Sequence, residues 1–173
     1  MGGERKLDDA GWASDHSQRN AELTLIRTLI SRLSETPIAA PFANTPDFEG
    51  RDERQIGKAV GLTQFGVNHL TLHPGATSSR RHWHEGEDEF VFVMSGQVTL
   101  VDENGDHDLV EGAFVGFPAG AANGHHLVNR SRSQAELLVV GTRKVGEERV
   151  HYPDQRDPGP FVIIRDVNGV RIG

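Results

Sequence analysis

His82 and His84 lie two residues apart, and Glu89 follows them at the head of an alternating apolar run. Side chains at i and i+2 of a strand leave on the same face, so both imidazoles can converge on one point. A carboxylate arriving from the next strand completes a three-ligand set of borderline hardness, suited to a divalent transition metal. Downstream, Gly120-Ala121-Ala122-Asn123-Gly124-His125-His126 offers a fourth ligand in His125. His125 and His126 would point to opposite faces of a regular strand, so one of them joins the set and the other does not. A bulge or kink in that loop would exchange their roles. Three neutral imidazoles and one carboxylate leave one or two positions open on Fe, Mn, Ni or Co, or one on a five-coordinate Zn. An open position can polarise a carbonyl, lower the pKa of water, or bind oxygen.

The residues around this set have more ordinary alternatives. Arg80 and Arg81 precede it and could hold an anionic substrate, since guanidinium suits carboxylate and phosphate, but surface charge explains them equally. Trp83 faces away from His82 and His84 and reads as a packing or interface residue. Glu87 and Asp88 sit in the loop before Glu89. Either could act as a base, although solvated loop charge is the plainer reading. His69 and His73 share one strand face with Thr71.

The elements that position these residues are mostly strands. Residues 1–17 are polar and lack any period, which suggests a weakly ordered tail. Over 20–33, Leu23, Ile26, Ile30 and Leu33 recur at helical spacing, with Asn20 as N-cap and Pro37 as the stop. Three prolines and a charged cluster make residues 37–58 read as an extended connection. From Ala59 the texture is β, with strands expected near 63–65, 67–72, 81–84, 89–94, 98–101, 107–109, 113–117, 125–128 and 135–142. Ser95-Gly96, Asn104-Gly105 and Glu111-Gly112 supply the turns. Asn168-Gly169 predicts a terminal hairpin within 161–172. The divisions are therefore 1–36 (tail and amphipathic helix), 37–58 (connection) and 59–173 (barrel with hairpin). The fold class is all-β.

Composition narrows the partners. The 173 residues carry a net charge of -7, which argues against a nucleic-acid groove or an anionic membrane. No apolar run approaches the roughly 20 residues of a membrane span, so a cytoplasmic location is expected. There is no cysteine, which excludes disulfides and thiolate chemistry.

Two motifs in order resemble those of the cupin superfamily. Gly75, His82, His84, Glu89 and Gly96 match the first, with one extra residue before His82. Gly112, Pro118, Gly120, His125 and Asn129 match the second, with two extra residues before His125. The texture is similar to small bacterial cupins of the sugar-phosphate-isomerase-like group. This resemblance implies a double-stranded β-helix, or jelly-roll barrel, with an N-terminal helix and a C-terminal hairpin as extensions. It also implies that His82, His84, Glu89 and His125 bind a divalent transition metal inside the barrel.

The function then expected is that of an isomerase or lyase on a small polar molecule such as a sugar or sugar phosphate. In it the metal would polarise a carbonyl and a carboxylate or histidine would move the proton. An Fe-dependent dioxygenase using the same four ligands is one alternative, and a non-catalytic small-molecule-binding cupin is another. The apolar-striped helix and the terminal hairpin suggest a homodimer.

Overall fold

In the computed structural model, which describes residues 31–39, 48–155, 159–167 and 171, every second residue after Glu89 turns inward. Val91 and Val93 are fully buried while Phe90 and Met94 stay exposed. This period of two defines the strand β4 (Glu89–Ser95) and the barrel wall around it. In chain order the other strands are β1 (Arg51–Arg54), β2 (Phe65–Leu72), β3 (Trp83–His84), β5 (Gln97–Asp102) and β6 (Gly105–Val110). Then come β7 (Phe114–Phe117), β8 (His126–Val128), β9 (Ala135–Thr142), β10 (Gly146–His151) and β11 (Phe161–Arg165).

One wall is a five-stranded antiparallel sheet in the order β1-β2-β9-β4-β7. The facing wall consists of two three-stranded ladders, β11-β10-β3 and β6-β5-β8. Single bridges at Thr77–Val128 and His82–His125 join the two ladders edge to edge. Order and pairing are those of a jelly roll. Between the walls lies one apolar core, in which Leu70 and Leu72 from β2, Val91 and Val93 from β4, Val98 from β5, Leu127 from β8 and Leu137 from β9 meet. Gly96 makes the β4–β5 turn with φ 80°, and a Cβ there would stand 2.7 Å from the Gln134 carbonyl oxygen, so no larger residue fits.

The structure departs from the sequence reading in four places. The stretch 37–58 is not merely a connection: Arg51–Arg54 pairs with β2 residue by residue, and a helical turn α1 (Ile56–Ala59) packs against β2, where Gly57 meets Val67. Residues 63–72 give one strand starting at Phe65 instead of two. β10 was not anticipated at all. Finally, the apolar run from Val91 to Met94 reads as a central strand buried on both faces, but β4, though central, is buried on one face only, because Phe90 and Met94, with Phe114 of β7, are exposed on the other.

The helix expected over 20–33 lies outside the described residues except at its end, where Leu33–Glu35 form a 3-10 turn. Asn168-Gly169 also lies outside them, although the flanking Arg165 and Arg171 form an antiparallel bridge. β11 itself adds to the edge of β10. Among the described residues, no helix is long and apolar enough to cross a membrane.

Candidate metal centre

His82 and His125 are 43 residues apart in sequence yet form a cross-strand pair, exchanging both backbone hydrogen bonds at 3.1 and 2.9 Å. Paired residues of an antiparallel ladder put their side chains on the same face, and here that face is the barrel interior. The two ring centroids are 5.2 Å apart. His84, two residues along from His82, projects to the same side, its ring edge-on to that of His82 at 5.0 Å. Glu89 comes from the opposite wall, at the mouth of β4, where it begins the inward series that Val91 and Val93 continue. His126 leaves the strand the other way, with Nδ1 3.1 Å from the Ser79 carbonyl oxygen.

Three Nε2 atoms face one carboxylate oxygen, Glu89 Oε2: His82 at 3.8 Å, His84 at 3.8 Å and His125 at 3.9 Å. These separations are too long for hydrogen bonds. The ligand atoms of His82, His84 and Glu89 lie within 4.8 Å of one another. His125 Nε2 is buried and has no hydrogen-bond partner. An orphaned buried nitrogen carries a cost unless something completes it, and a cation among these four donors would.

The far side of two of the three rings is tethered, which fixes their tautomer. His82 Nδ1–H donates to the Arg80 carbonyl at 2.9 Å, and His125 Nδ1–H donates to the Asn123 carbonyl at 3.0 Å. His84 Nδ1 faces the fully buried carboxylate of Glu148 at 3.5 Å. Each tether leaves the Nε2 lone pair pointing inward, an arrangement that orients imidazoles for metals. Phe117 stacks flat on His125, with centroids 3.4 Å apart. The longer loop before His125 is held down as well: Asn123 accepts from the Glu103 N–H and donates to Asp102. The added residues therefore fold outward onto the β5–β6 turn and leave His125 in place.

Charge within the cluster follows from these contacts. Burial alone would raise the pKa of Glu89, but the imidazoles of His125 and His82 hold it far below the ordinary carboxylate range. Burial works against a charged His82, yet the nearby Glu89 carboxylate and the hydrogen bond to the Arg80 carbonyl raise its pKa overall. His84 is lowered to about 4, first by burial and then by the charge of His82. His84 and His82 thus contribute to pH-dependent stability with opposite signs. Below the unfolded-state value near 6.5, His82 stabilises the metal-free fold, and that contribution is lost as pH rises through its raised pKa. His84 contributes above the unfolded value, and its share is lost as pH falls toward 4.

Metal binding must displace the proton of His82, so affinity should begin to fall as pH drops through a value above 6.5, well before His84 titrates. Metal content measured after equilibration across pH 4 to 8 checks this. Full retention at pH 5 would contradict it.

The residues expected to hold substrate separate. Arg81 is committed to Asp154 through two hydrogen bonds of 3.0 and 2.7 Å, with Glu103 at 3.4 Å, and it lines a different cavity, with His126. Arg80 lines a cavity of about 540 Å³ that also includes His82 and Tyr152. Trp83 stacks on His151 on the outer face, with centroids 4.0 Å apart. Glu87 is not a solvated loop charge: it is buried, accepts the Lys144 N–H at 2.7 Å and pairs with the buried Arg165. Asp88 is exposed and caps the Ala119 N–H at 2.8 Å.

Two residues near the centre escaped the sequence reading. Glu148 lies on the unanticipated β10, and Tyr152 follows it, with its ring 5.9 Å from that of His82. Alternation in Gly146–His151 was the available signal, but its inward positions include a carboxylate, so no apolar period shows.

Comparison with known proteins adds the following. The cupin domain family matches residues 68–141. Among solved structures, the chain is similar to a sugar phosphate isomerase of the cupin superfamily from Silicibacter pomeroyi DSS-3. The two are 38% identical over 83% of this chain and 91% of the other, with a TM-score of 0.70. A protein described as a candidate sugar phosphate isomerase, from Acidithiobacillus ferrooxidans ATCC 23270, is 30% identical. It aligns over 85% of this chain and 92% of its own, with a TM-score of 0.67. A polyketide cyclase from Streptomyces resistomycificus shares the fold at 20% identity, over 75% and 89% of the two chains, with a TM-score of 0.58. No curated protein matches the sequence.

Proposed function

This chain belongs to the cupin superfamily, and from that premise we propose that it is a metal-dependent isomerase or lyase acting on a small substrate that carries a carbonyl. His82, His84, Glu89 and His125 hold a divalent transition metal in this reading. The observation that carries it is the convergence of three Nε2 atoms on Glu89, each ring tethered or faced by an acceptor at Nδ1. Such a cation supplies Lewis acidity, polarising a carbonyl oxygen.

The chain's own residues do the rest. Glu89 remains ionised and balances the charge of the site. Tyr152 is partly buried beside His82, and burial raises its pKa, although the charges of Arg80 and Arg171 work the other way. It therefore keeps its proton at neutral pH and can donate a hydrogen bond to a substrate oxygen. Burial of His125 behind Phe117 keeps water from that side of the cluster. The names of the two similar bacterial proteins support an isomerisation over other carbonyl chemistry.

The test has two stages. Purified full-length protein should contain about one divalent transition metal per chain by elemental mass spectrometry. Incubation of a panel of small carbonyl compounds in D2O should then place deuterium next to the carbonyl of the substrate, and Tyr152→Phe should slow that exchange by about 100-fold. Absence of stoichiometric metal would overturn the metal assignment. Oxygen consumption without proton exchange would overturn the isomerase in favour of a dioxygenase.

A further inference from the structure

The cavity beside His82 has an unusual lining for an acidic protein. Three guanidinium groups, those of Arg51, Arg80 and Arg171, border it, and no carboxylate does among the described residues. Arg51 is paired with Glu53 at 2.7 Å and donates to the Ser78 carbonyl at 2.6 Å, so it is held in place. Arg171 lies over the Phe161 ring, 5.0 Å from its centroid, and Arg51 lies 5.9 Å from that of Phe48. A guanidinium held over an aromatic face keeps its charge and is a suitable partner for carboxylate or phosphate.

The remaining walls are mainly apolar. Phe48, Phe161, Ile163 and the ring of Tyr152 form most of them, beside the Gln155 amide. The two serine hydroxyls of the lining are already engaged. Ser78 Oγ accepts the Leu127 N–H at 3.0 Å, and Ser79 Oγ lies 3.3 Å from His82 Nδ1. A sugar in this space would press several hydroxyls against Phe161 and Ile163 without partners, which is costly. An aryl or acyl group would be well placed there. Its charged end would then reach the arginines, and His82 connects the space to the metal cluster.

We propose that this cavity binds an organic anion with an apolar body, and that this class, not the polyhydroxylated sugar phosphates, supplies the substrate. The inference rests on the proposed metal-dependent function only for what happens to the ligand. Binding through the arginines needs no metal.

The experiment exploits that difference. Full-length protein treated with chelator is titrated calorimetrically with 3-phenylpropionate, with glucose 6-phosphate and with inorganic phosphate, and the titrations are repeated on Arg80→Ala and Arg171→Ala. Both arginines are exposed, and circular dichroism confirms that each variant is folded. The expected result is that 3-phenylpropionate binds at least about tenfold more tightly than glucose 6-phosphate or phosphate. Each substitution should weaken it by about tenfold to a hundredfold, the worth of a hydrogen bond to a charged group. Equal or tighter binding of glucose 6-phosphate overturns the proposal, as does binding indifferent to both substitutions or no binding at all. If 3-phenylpropionate binds as expected to a protein that never takes up metal, the cavity assignment stands and the metal-dependent function falls.

Discussion

Replacing His125 with alanine is expected to remove most of the bound metal, while His126→Ala retains it. The two residues are adjacent, but only His125 pairs with His82 across the junction of β3 and β8 and brings its Nε2 to 3.9 Å from Glu89. Loss of an outer partner of a metal-bound histidine costs about 10- to 100-fold in affinity, so loss of the ligand itself should cost more. His126 Nδ1–H donates to the Ser79 carbonyl on the other side of the strand, and its removal should affect stability only modestly. Metal content of equally folded proteins reads the outcome. Metal lost from His126→Ala and kept by His125→Ala would mean that the strand is shifted by one residue.

The second large effect is expected far from the cluster in sequence. Arg165, in β11, forms a buried pair with Glu87 in the loop between β3 and β4, and both side chains are 6% exposed. Arg165→Met would leave Glu87 buried without its cation, with only the Lys144 N–H and nearby Arg143 to oppose burial. Breaking one side of a buried pair costs about 3–5 kcal/mol. The double variant Glu87→Leu with Arg165→Met should recover much of that, because apolar replacement of a whole buried pair is often neutral. Urea denaturation measures all three proteins. A single-variant loss under about 1 kcal/mol would show that the pair is solvated in solution.

Buried charge explains part of what the sequence concealed. Strands carried by an apolar run, such as 89–94 and 135–142, were legible because Val91, Val93 and Leu137 sit among further apolar residues. β10 was not, because its inward positions carry Glu148 and Val150 while Glu147 and Arg149 face outward. A buried carboxylate erases the hydrophobic period that a reader of sequence relies on. Likewise β1 has only half-buried residues, Arg-Asp-Glu-Arg, held by pairing with β2 and not by any apolar face.

At the cluster, the types and spacing of His82, His84 and Glu89 could be read directly, since a strand imposes their common direction. The tethers could not. Arg80 and Asn123 act through backbone carbonyls, which no side-chain pattern reports. Arg171 reaches the cavity beside His82 from far along the chain, whereas proximity in sequence pointed to Arg80, which lines that cavity, and to Arg81, which Asp154 neutralises.

The way the two ladders of the facing wall meet has a mechanical meaning. Backbone hydrogen bonds cross the line between them from Gly75 to Asn129, from Asn129 to Ala76, from Ser78 to Leu127, both ways at His82 and His125, and from Gly120 to His84. A seam closed on both sides of the histidines resists twisting, because its rungs must deform together. His84 and His125 therefore keep their spacing, and the β4 wall opposite, paired on both sides, holds Glu89 against them. The four donors meet in a stiff frame.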